Sequence, residues 1–316
     1  MYVDYRISIE DIGKQLHISR RTISNILKEH NINISYGRTQ TKVNEDYFDT
    51  MDERRYWMLG LYASDGNVTK NGSTISISQS GDNGSIIIDY LESELSCENC
   101  RKDYDPKDGF QVRHKLSFCS EKIKNVFEKY NIVPQKTWTY RFPDIIPSKF
   151  IGAFLAGYID GDGCISFAKN KNEKEYLIVQ VVGTKEFIYE VKKIVPAKCS
   201  NPRKRKTSNV YEIEWAGKNA VELCDWMYDY PLIFHSHKYE KYLKGKDIFI
   251  NSYQYKYDEL KRNVFNIFSS GLCTTMMDYM YKYNLKTTDE NYKRIYRWLK
   301  EWFDLGLIDD YKVRKT

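Results

Sequence analysis

At 316 residues, with 41% hydrophobic and 15% aromatic side chains, the chain is long enough for more than one domain with an ample core. Its 49 basic residues against 43 acidic ones give a net charge of +6, which favours a polyanionic partner but is spread too evenly to identify one. No apolar run approaches the roughly 18 residues that suggest a membrane span, residues 1–6 carry no signal-peptide pattern, and seven cysteines without a framework spacing suit reduced thiols. A cytoplasmic protein with no membrane partner is expected. Cys97 and Cys100 form a single CxxC with no second pair, and the five histidines show no ligand spacing, so zinc is not expected.

Residues 1–40 are expected to form a small DNA-binding module. Ser8, with Asp11 three positions on, suits a helix N-cap, and Ile9, Ile12 and Leu16 make one apolar stripe. After a turn at His17 and Ile18, Ser19 can cap a second helix that turns Ile23, Ile26 and Leu27 inward. Arg20, Arg21, Thr22, Asn25 and Lys28 are left outward, the composition of a recognition helix. The segment resembles the helix-turn-helix of many phage and bacterial DNA-binding proteins, with His17 where the turn usually has glycine; a plain helical hairpin with a basic face is the alternative. Residues 41–52 are polar and unpatterned, as a linker would be.

Two later segments repeat one pattern. Trp57-Met58-Leu59-Gly60-Leu61-Tyr62-Ala63-Ser64-Asp65-Gly66 and Phe154-Leu155-Ala156-Gly157-Tyr158-Ile159-Asp160-Gly161-Asp162-Gly163 are both apolar helical stretches with a central glycine, closing in Asp-Gly. Small residues fall on one stripe in each, Gly60 and Ser64 in the first and Ala153, Gly157 and Gly161 in the second, which predicts two helices in close contact. That contact brings Asp65 and Asp162 together as the last helical residues, each before a glycine suited to a left-handed helix-ending turn. A carboxylate at a helix C-terminus is unfavourable, two side by side more so, and a hard divalent cation such as Mg²⁺ offsets this.

Each segment is followed by the same coarse order of strand, strand, helix, strand, strand, helix. In the first copy these are expected over residues 67–68, 73–80, 85–95, 101–105, 110–119 and 120–130, and in the second over 164–168, 176–183, 185–195, 197–206, 209–216 and 217–228. Phe110, Val112, Leu116 and Phe118 alternate with Gln111, Arg113, Lys115 and Ser117, and Ile75 and Ile77 with Thr74, Ser76, Ser78 and Ser80. One face therefore packs while the other offers donors suited to bases and phosphates. Arg203, Lys204, Arg205 and Lys206 add four successive positive charges at a strand end, and Gln79 and Gln180 are expected to position waters or contact DNA. In the C-terminal stretch, residues 252–316, three amphipathic helices and a basic strand at 311–315 after a turn at Asp309 and Asp310 look like a winged helix; a packing or dimerisation module is the alternative.

The paired segments resemble the signature motifs of the LAGLIDADG homing endonucleases. Residues 155–163 depart from the family's string only at Tyr158 and Gly161, while the first copy is looser, with Ala63 where the family has its earlier aspartate. The resemblance implies an α+β fold built from a duplicated αββαββα homing-endonuclease repeat with pseudo-twofold symmetry, residues 53–147 and 148–246, flanked by small helical DNA-binding-like modules. It implies that Asp65 and Asp162 bind Mg²⁺ or another divalent cation jointly with the carbonyls of Ser64 and Gly161. Val133-Pro134-Gln135-Lys136-Thr137 and His237-Lys238-Tyr239-Glu240-Lys241-Tyr242 are similar to the family's exits from its two repeats, which gives Lys136 and Lys238 a catalytic role beside the metal, activating water. The implied protein is a monomer that cuts both strands of a long double-stranded DNA site and leaves four-base 3′ overhangs. Its alternatives are a non-catalytic DNA-binding transcriptional regulator with the same fold and an intron RNA-splicing maturase. Met1 and the terminal Lys315-Thr316 lack the groups that protein splicing needs, so a free-standing protein is expected.

Overall fold

The computed structural model describes residue 7 and residues 9–32, 41–105, 111–206, 208–273, 275–284 and 290–309. At the N-terminus, α1 (Ile9–Leu16) and α2 (Arg20–Glu29) enclose the buried Ile12, Ile23 and Leu27, with Ile7, Ile9 and Ile32 packed around them. Ser19 caps α2 by accepting the Thr22 amide at 3.1 Å, and His17 takes the left-handed turn position at φ 55°. Leu16 and Ile26, expected inward, are 49% and 44% exposed, because two short helices share only one face and the other apolar residues fill it. Ser8, Phe110, Asp310, residues 33–40 of the N-terminal module and the basic strand at 311–315 lie outside the described residues.

The two motif helices are α3 (Glu53–Ser64) and α6 (Ile151–Asp162), and both are buried on every side along most of their length. A Cβ on Gly60 would lie 1.9 Å from the carbonyl oxygen of Phe154 and 2.8 Å from the amide nitrogen of Tyr158. Reciprocally, a Cβ on Gly157 would lie 1.8 Å from the carbonyl oxygen of Trp57 and 3.0 Å from the amide nitrogen of Leu61. On Gly161 it would meet the Ser64 hydroxyl at 1.9 Å, and Ala153 is fully buried. The expected small-residue stripe is thus a main-chain-to-main-chain contact, and its atoms correspond one to one between the two copies.

The helix ends differ from expectation. Asp65 is the C-cap of α3, one position beyond its last helical residue, whereas Asp162 closes α6. Neither following glycine is left-handed: Gly163 is extended at φ −86° and ψ 166°, and Gly66 is not among the positive-φ residues. Space explains them instead, since a Cβ would lie 2.5 Å from the Tyr62 carbonyl oxygen at Gly66 and 2.6 Å from the Ile159 Cα at Gly163.

After α3 come β1 (Asn67–Val68), β2 (Thr74–Ser80), α4 (Gly81–Glu94), β3 (Arg101–Tyr104), β4 (Arg113–Cys119) and α5 (Glu121–Lys129). After α6 come β5 (Cys164–Lys169), β6 (Glu175–Gly183), α7 (Lys185–Ile194), β7 (Arg203–Lys204), β8 (Tyr211–Ala216) and α8 (Lys218–Met227). Each set forms a four-stranded sheet, in the orders β1-β2-β4-β3 and β5-β6-β8-β7, so the topology is duplicated as expected. Two elements shift. α4 starts four residues early, because Gly84 lets the helix lie tight against the Gln79 main chain, where a Cβ would come within 2.8 Å. The strand expected over 197–206 is reduced to Arg203 and Lys204, preceded by Pro202, which has no N–H for a ladder.

The chain divides into two compact units, Met1–Ser166 with Ile178–Lys241 and Phe167–Leu177 with Tyr242–Thr316. α9 (His237–Ile250) begins in the first of these and ends in the second. The second unit holds α10 (Tyr253–Ser269), α11 (Met276–Lys282) and α12 (Glu290–Asp304) around its own core of Val264, Phe268, Met276, Ile295, Trp298 and Leu299. No helix among the described residues is long and apolar enough to cross a membrane, and all seven cysteines are free thiols.

Replacing Gly157 by valine puts side-chain carbon where the Trp57 carbonyl sits, and neither backbone can retreat without moving its helix. A loss of about 3 kcal/mol or more of unfolding free energy is expected from such overpacking, measured by urea denaturation; a change of under about 1 kcal/mol would show that the helices separate easily.

Candidate active site

The helix crossing sets two carboxylates at one point. A Cβ on Gly161 would lie 2.9 Å from Oδ2 of Asp65, so the end of the first helix reaches the last turn of the second. Burial, and then the charge of Asp162, push the Asp65 carboxyl up to about 6. Asp162 is likewise raised by burial, with the charges of Lys136 and Lys238 opposing. Gln79 lies on the same face of β2 as Ile75 and Ile77, in register with His114, and donates from Nε2 to Oδ2 of Asp65 at 2.5 Å. Gln180 is far from equivalent: its Nε2 donates to Glu214 at 2.7 Å on the outer face of the second sheet.

The two lysines approach this point from below the helix ends. Lys136 begins a short 3-10 turn after the left-handed Gln135, is buried, and donates from Nζ to the carbonyls of Ser64 at 3.1 Å and Gly66 at 2.5 Å. Lys238, in the first turn of α9, donates to the carbonyls of Ile159, Asp160, Gly161 and Gly163 at 2.7, 2.9, 3.3 and 2.8 Å. Each lysine therefore places a cation where a helix leaves unpaired carbonyls. Burial lowers the pKa of both; among the charges that oppose this, Asp162 leads for Lys136, and Asp160 and then Asp65 for Lys238. The strongest opposing charge on Lys136 thus comes from the other repeat's motif helix.

One buried carboxylate was given no role by the sequence. Asp160 is 4% exposed, accepts the Trp57 indole N–H at 2.8 Å and is hydrogen-bonded by the Ser236 hydroxyl. Ser236 in turn accepts the Lys238 amide at 3.1 Å. Burial pushes the Asp160 carboxyl up to about 6 against both bonds. Its only signal in the sequence is that the second motif has an aspartate where the first has Ala63.

The donor set fits a hard divalent cation. Two carboxylates beside each other, Asp65 half-buried and Asp162 open to solvent, favour a bound cation, and the carbonyls of Ser64 and Gly161 stand at the same helix ends, each with a second lone pair beyond the lysine bond. Among the described residues no three His, Cys, Asp or Glu side chains converge, which leaves carbonyls and waters to complete such a shell.

The expected DNA-contact residues divide into two groups. On the first sheet, Arg113 and Lys115 lie on the outer face, Arg113 4.6 Å from the Tyr104 ring, and Gln111 is exposed just before β4. That face also carries Lys102 and Tyr104, which the sequence reading missed because β3 is too short to show an alternation. On the second sheet, Arg203 and Arg205 are exposed but both donate to Glu212, and Lys204, Arg205 and Lys206 border an open hollow with Ser208 and Asn209. In α2, Arg20, Arg21, Thr22, Asn25 and Lys28 are all exposed.

Because the Asp65 carboxyl is raised above its ordinary 3.8 to about 6, folding favours the protonated form, and stability is lost as pH rises through that window. Without metal, Asp65→Asn is expected to raise unfolding free energy by about 1–3 kcal/mol at pH 8 and by almost nothing at pH 4, read by thermal or urea melts. No gain at pH 8 would mean that neither burial nor the charge of Asp162 penalises the Asp65 carboxylate.

Residues 155–249 match the family model described as LAGLIDADG endonuclease. A search of curated proteins gave no match. Among solved structures, the meganuclease I-SmaMI bound to uncleaveable DNA is 10% identical over 62% of this chain and 90% of its own, with a TM-score of 0.44. The LAGLIDADG homing endonuclease I-LtrWI bound to target DNA is 13% identical over 65% of this chain and 90% of its own, at 0.41. Full-length DUF199/WhiA from Thermatoga maritima is 11% identical over 84% of this chain and 97% of its own, at 0.39. The repeat at residues 155–249 is thus similar to the LAGLIDADG endonuclease family.

Proposed function

We propose that this protein is a site-specific DNA endonuclease that makes metal-dependent double-strand cuts in a long target. The observation that carries the proposal is the convergence of Asp65 and Asp162 at the helix crossing, with the buried Lys136 and the half-buried Lys238 behind them. A carboxylate pair serves no purpose against DNA phosphates unless a cation lies between them. Asp65 and Asp162, with the carbonyls of Ser64 and Gly161, would hold Mg²⁺ or another divalent cation. Such a cation supplies stabilisation of the charge on the attacking and leaving oxygens of phosphodiester hydrolysis.

The chain's own groups set the rest. Gln79 orients Asp65 from one side only, so the two carboxylates are not equivalent. Lys136 and Lys238 neutralise the helix ends and hold positive charge beside the scissile region, where they would orient the attacking water. Departure of the 3′ oxygen gives 5′ phosphates, and the family resemblance suggests four-base 3′ overhangs. One chain carries both sheets, so the target need not be palindromic. The N-terminal helices would extend contacts beyond the cleaved centre through Arg20, Arg21, Thr22, Asn25 and Lys28.

The test is to incubate the protein, with and without Mg²⁺, with a duplex that joins the sequences on either side of its gene. Metal-dependent cutting near the junction is expected, lost by about 10³-fold or more in Asp65→Asn and Asp162→Asn with binding retained. Specific binding without cutting under any divalent metal would instead favour a regulator. Deleting residues 1–40 should lower the slope of log affinity against log salt by about 2–4, since about 0.9 is lost per phosphate contact. An unchanged slope would show that these helices do not touch DNA.

A further inference from the structure

The two sheets present different chemistry to a polyanion. On the outer face of β1-β2-β4-β3 the register aligns Ser78, Lys115 and Lys102 in one row and Ser80, Arg113 and Tyr104 in the next. Among the described residues of that face no strand position is acidic: Asp103 lies on the opposite face with His114, where it bonds to Arg101. Lys102, Tyr104, Lys115 and Ser117 also line a cavity of about 200 Å³, so the cations sit in a concave surface.

The outer face of the second sheet is built differently. Gln180 pairs with Glu214, Val182 with Glu212, and Arg203 with Glu212 across the strands. Glu212, whose side chain is only 14% exposed, accepts Nε of Arg203 on one oxygen and Nε of Arg205 on the other, at 2.5 and 2.6 Å. Glu214 lies 4.0 Å from Nη2 of Arg203 and accepts Gln180. Two cations and two anions therefore cancel on this face. Glu212 engages each guanidinium through Nε, and no hydrogen bond to the terminal amino groups is formed by Glu212, although Nη2 of Arg203 stands 4.0 Å from Glu214; these amino groups are the fork that matches O6 and N7 of guanine.

We infer that the sheets divide the work of DNA binding, an inference that rests on the proposed DNA-binding function. Lys102, Arg113 and Lys115 neutralise phosphates, while Glu212 is a positioning residue that removes Arg203 and Arg205 from charge neutralisation and presets them as readers of guanine edges. Phosphate contacts release counterions and show in the salt slope, whereas an already neutralised guanidinium adds hydrogen bonds without that release.

The experiment measures binding of the full chain to duplexes of about 40 base pairs, one G·C-rich and one A·T-rich, across a salt series by fluorescence anisotropy. Combined Lys102→Gln, Arg113→Gln and Lys115→Gln should lower the slope by about 2–3 on both duplexes. Combined Arg203→Gln and Arg205→Gln should leave the slope within about 0.5 while weakening the preference for G·C by about tenfold. Glu212→Gln should raise the slope by about 1, because one of the two anions that balance the guanidiniums is removed and one net positive charge becomes available to phosphates. The Glu212 side chain is only 14% exposed, so a thermal melt of each variant confirms folding. The inference is overturned if the Arg203/Arg205 variant loses slope like the first-sheet variant, or if Glu212→Gln leaves the slope unchanged. A wild-type chain with no salt-dependent duplex binding would sink the DNA-binding function itself, a separate outcome.

Discussion

The approach of two helix backbones to contact distance is the constraint from which the rest of this structure follows. At Gly60 and Gly157 each helix puts a carbonyl oxygen where the other would otherwise carry a side chain. Side-chain packing normally spaces helices 8–10 Å apart; here the absence of side chains at the crossing lets the chain ends converge. Both motif helices lose contact with solvent along most of their length, which explains their lack of amphipathic patterning, and at their ends Asp65 is half-buried while Asp162 reaches solvent.

That burial creates an electrostatic problem with two partial solutions. Helix C-termini concentrate negative potential, and Asp65 and Asp162 add charge there, Asp65 where it is only partly screened by water. The lysines address the helix ends by bonding their carbonyls, and their own charges act on the carboxylates at longer range. What they do not cancel raises Asp65 to about 6, and the residual deficit is what a divalent cation would remove.

The duplicated order of elements was legible because it depends on local periodicity, and the helix contact was legible because glycine at such spacing has few other uses in a helix. Features that depend on cross-strand register were not. A run of Arg203, Lys204, Arg205 and Lys206 looks like uniform positive charge until Glu212 arrives opposite it on β8. Gln79 shares the spacing of Ile75 and Ile77, so its core-side placement could be inferred from alternation, but its bond to Asp65 depends on where α3 ends. Leu16 and Ile26 lie on apolar stripes yet stay exposed, because a helical stripe does not reveal how wide a face its partner covers.

One bond breaks the pseudo-twofold relation. The Trp57 indole reaches Asp160 across the crossing, and the positions that correspond to these two in the opposite copies are Phe154 and Ala63, which cannot hydrogen-bond. A second repeat paired with its own duplicate would face each buried Asp160 with a phenyl ring, leaving two carboxylates without an indole in a dry interface. A first repeat paired with its duplicate would bury two indole N–H groups against alanine. The halves have thus diverged into complementary partners, each penalised for self-association. The fusion is irreversible in that sense: severing the chain between the repeats would yield fragments that recognise each other in preference to themselves.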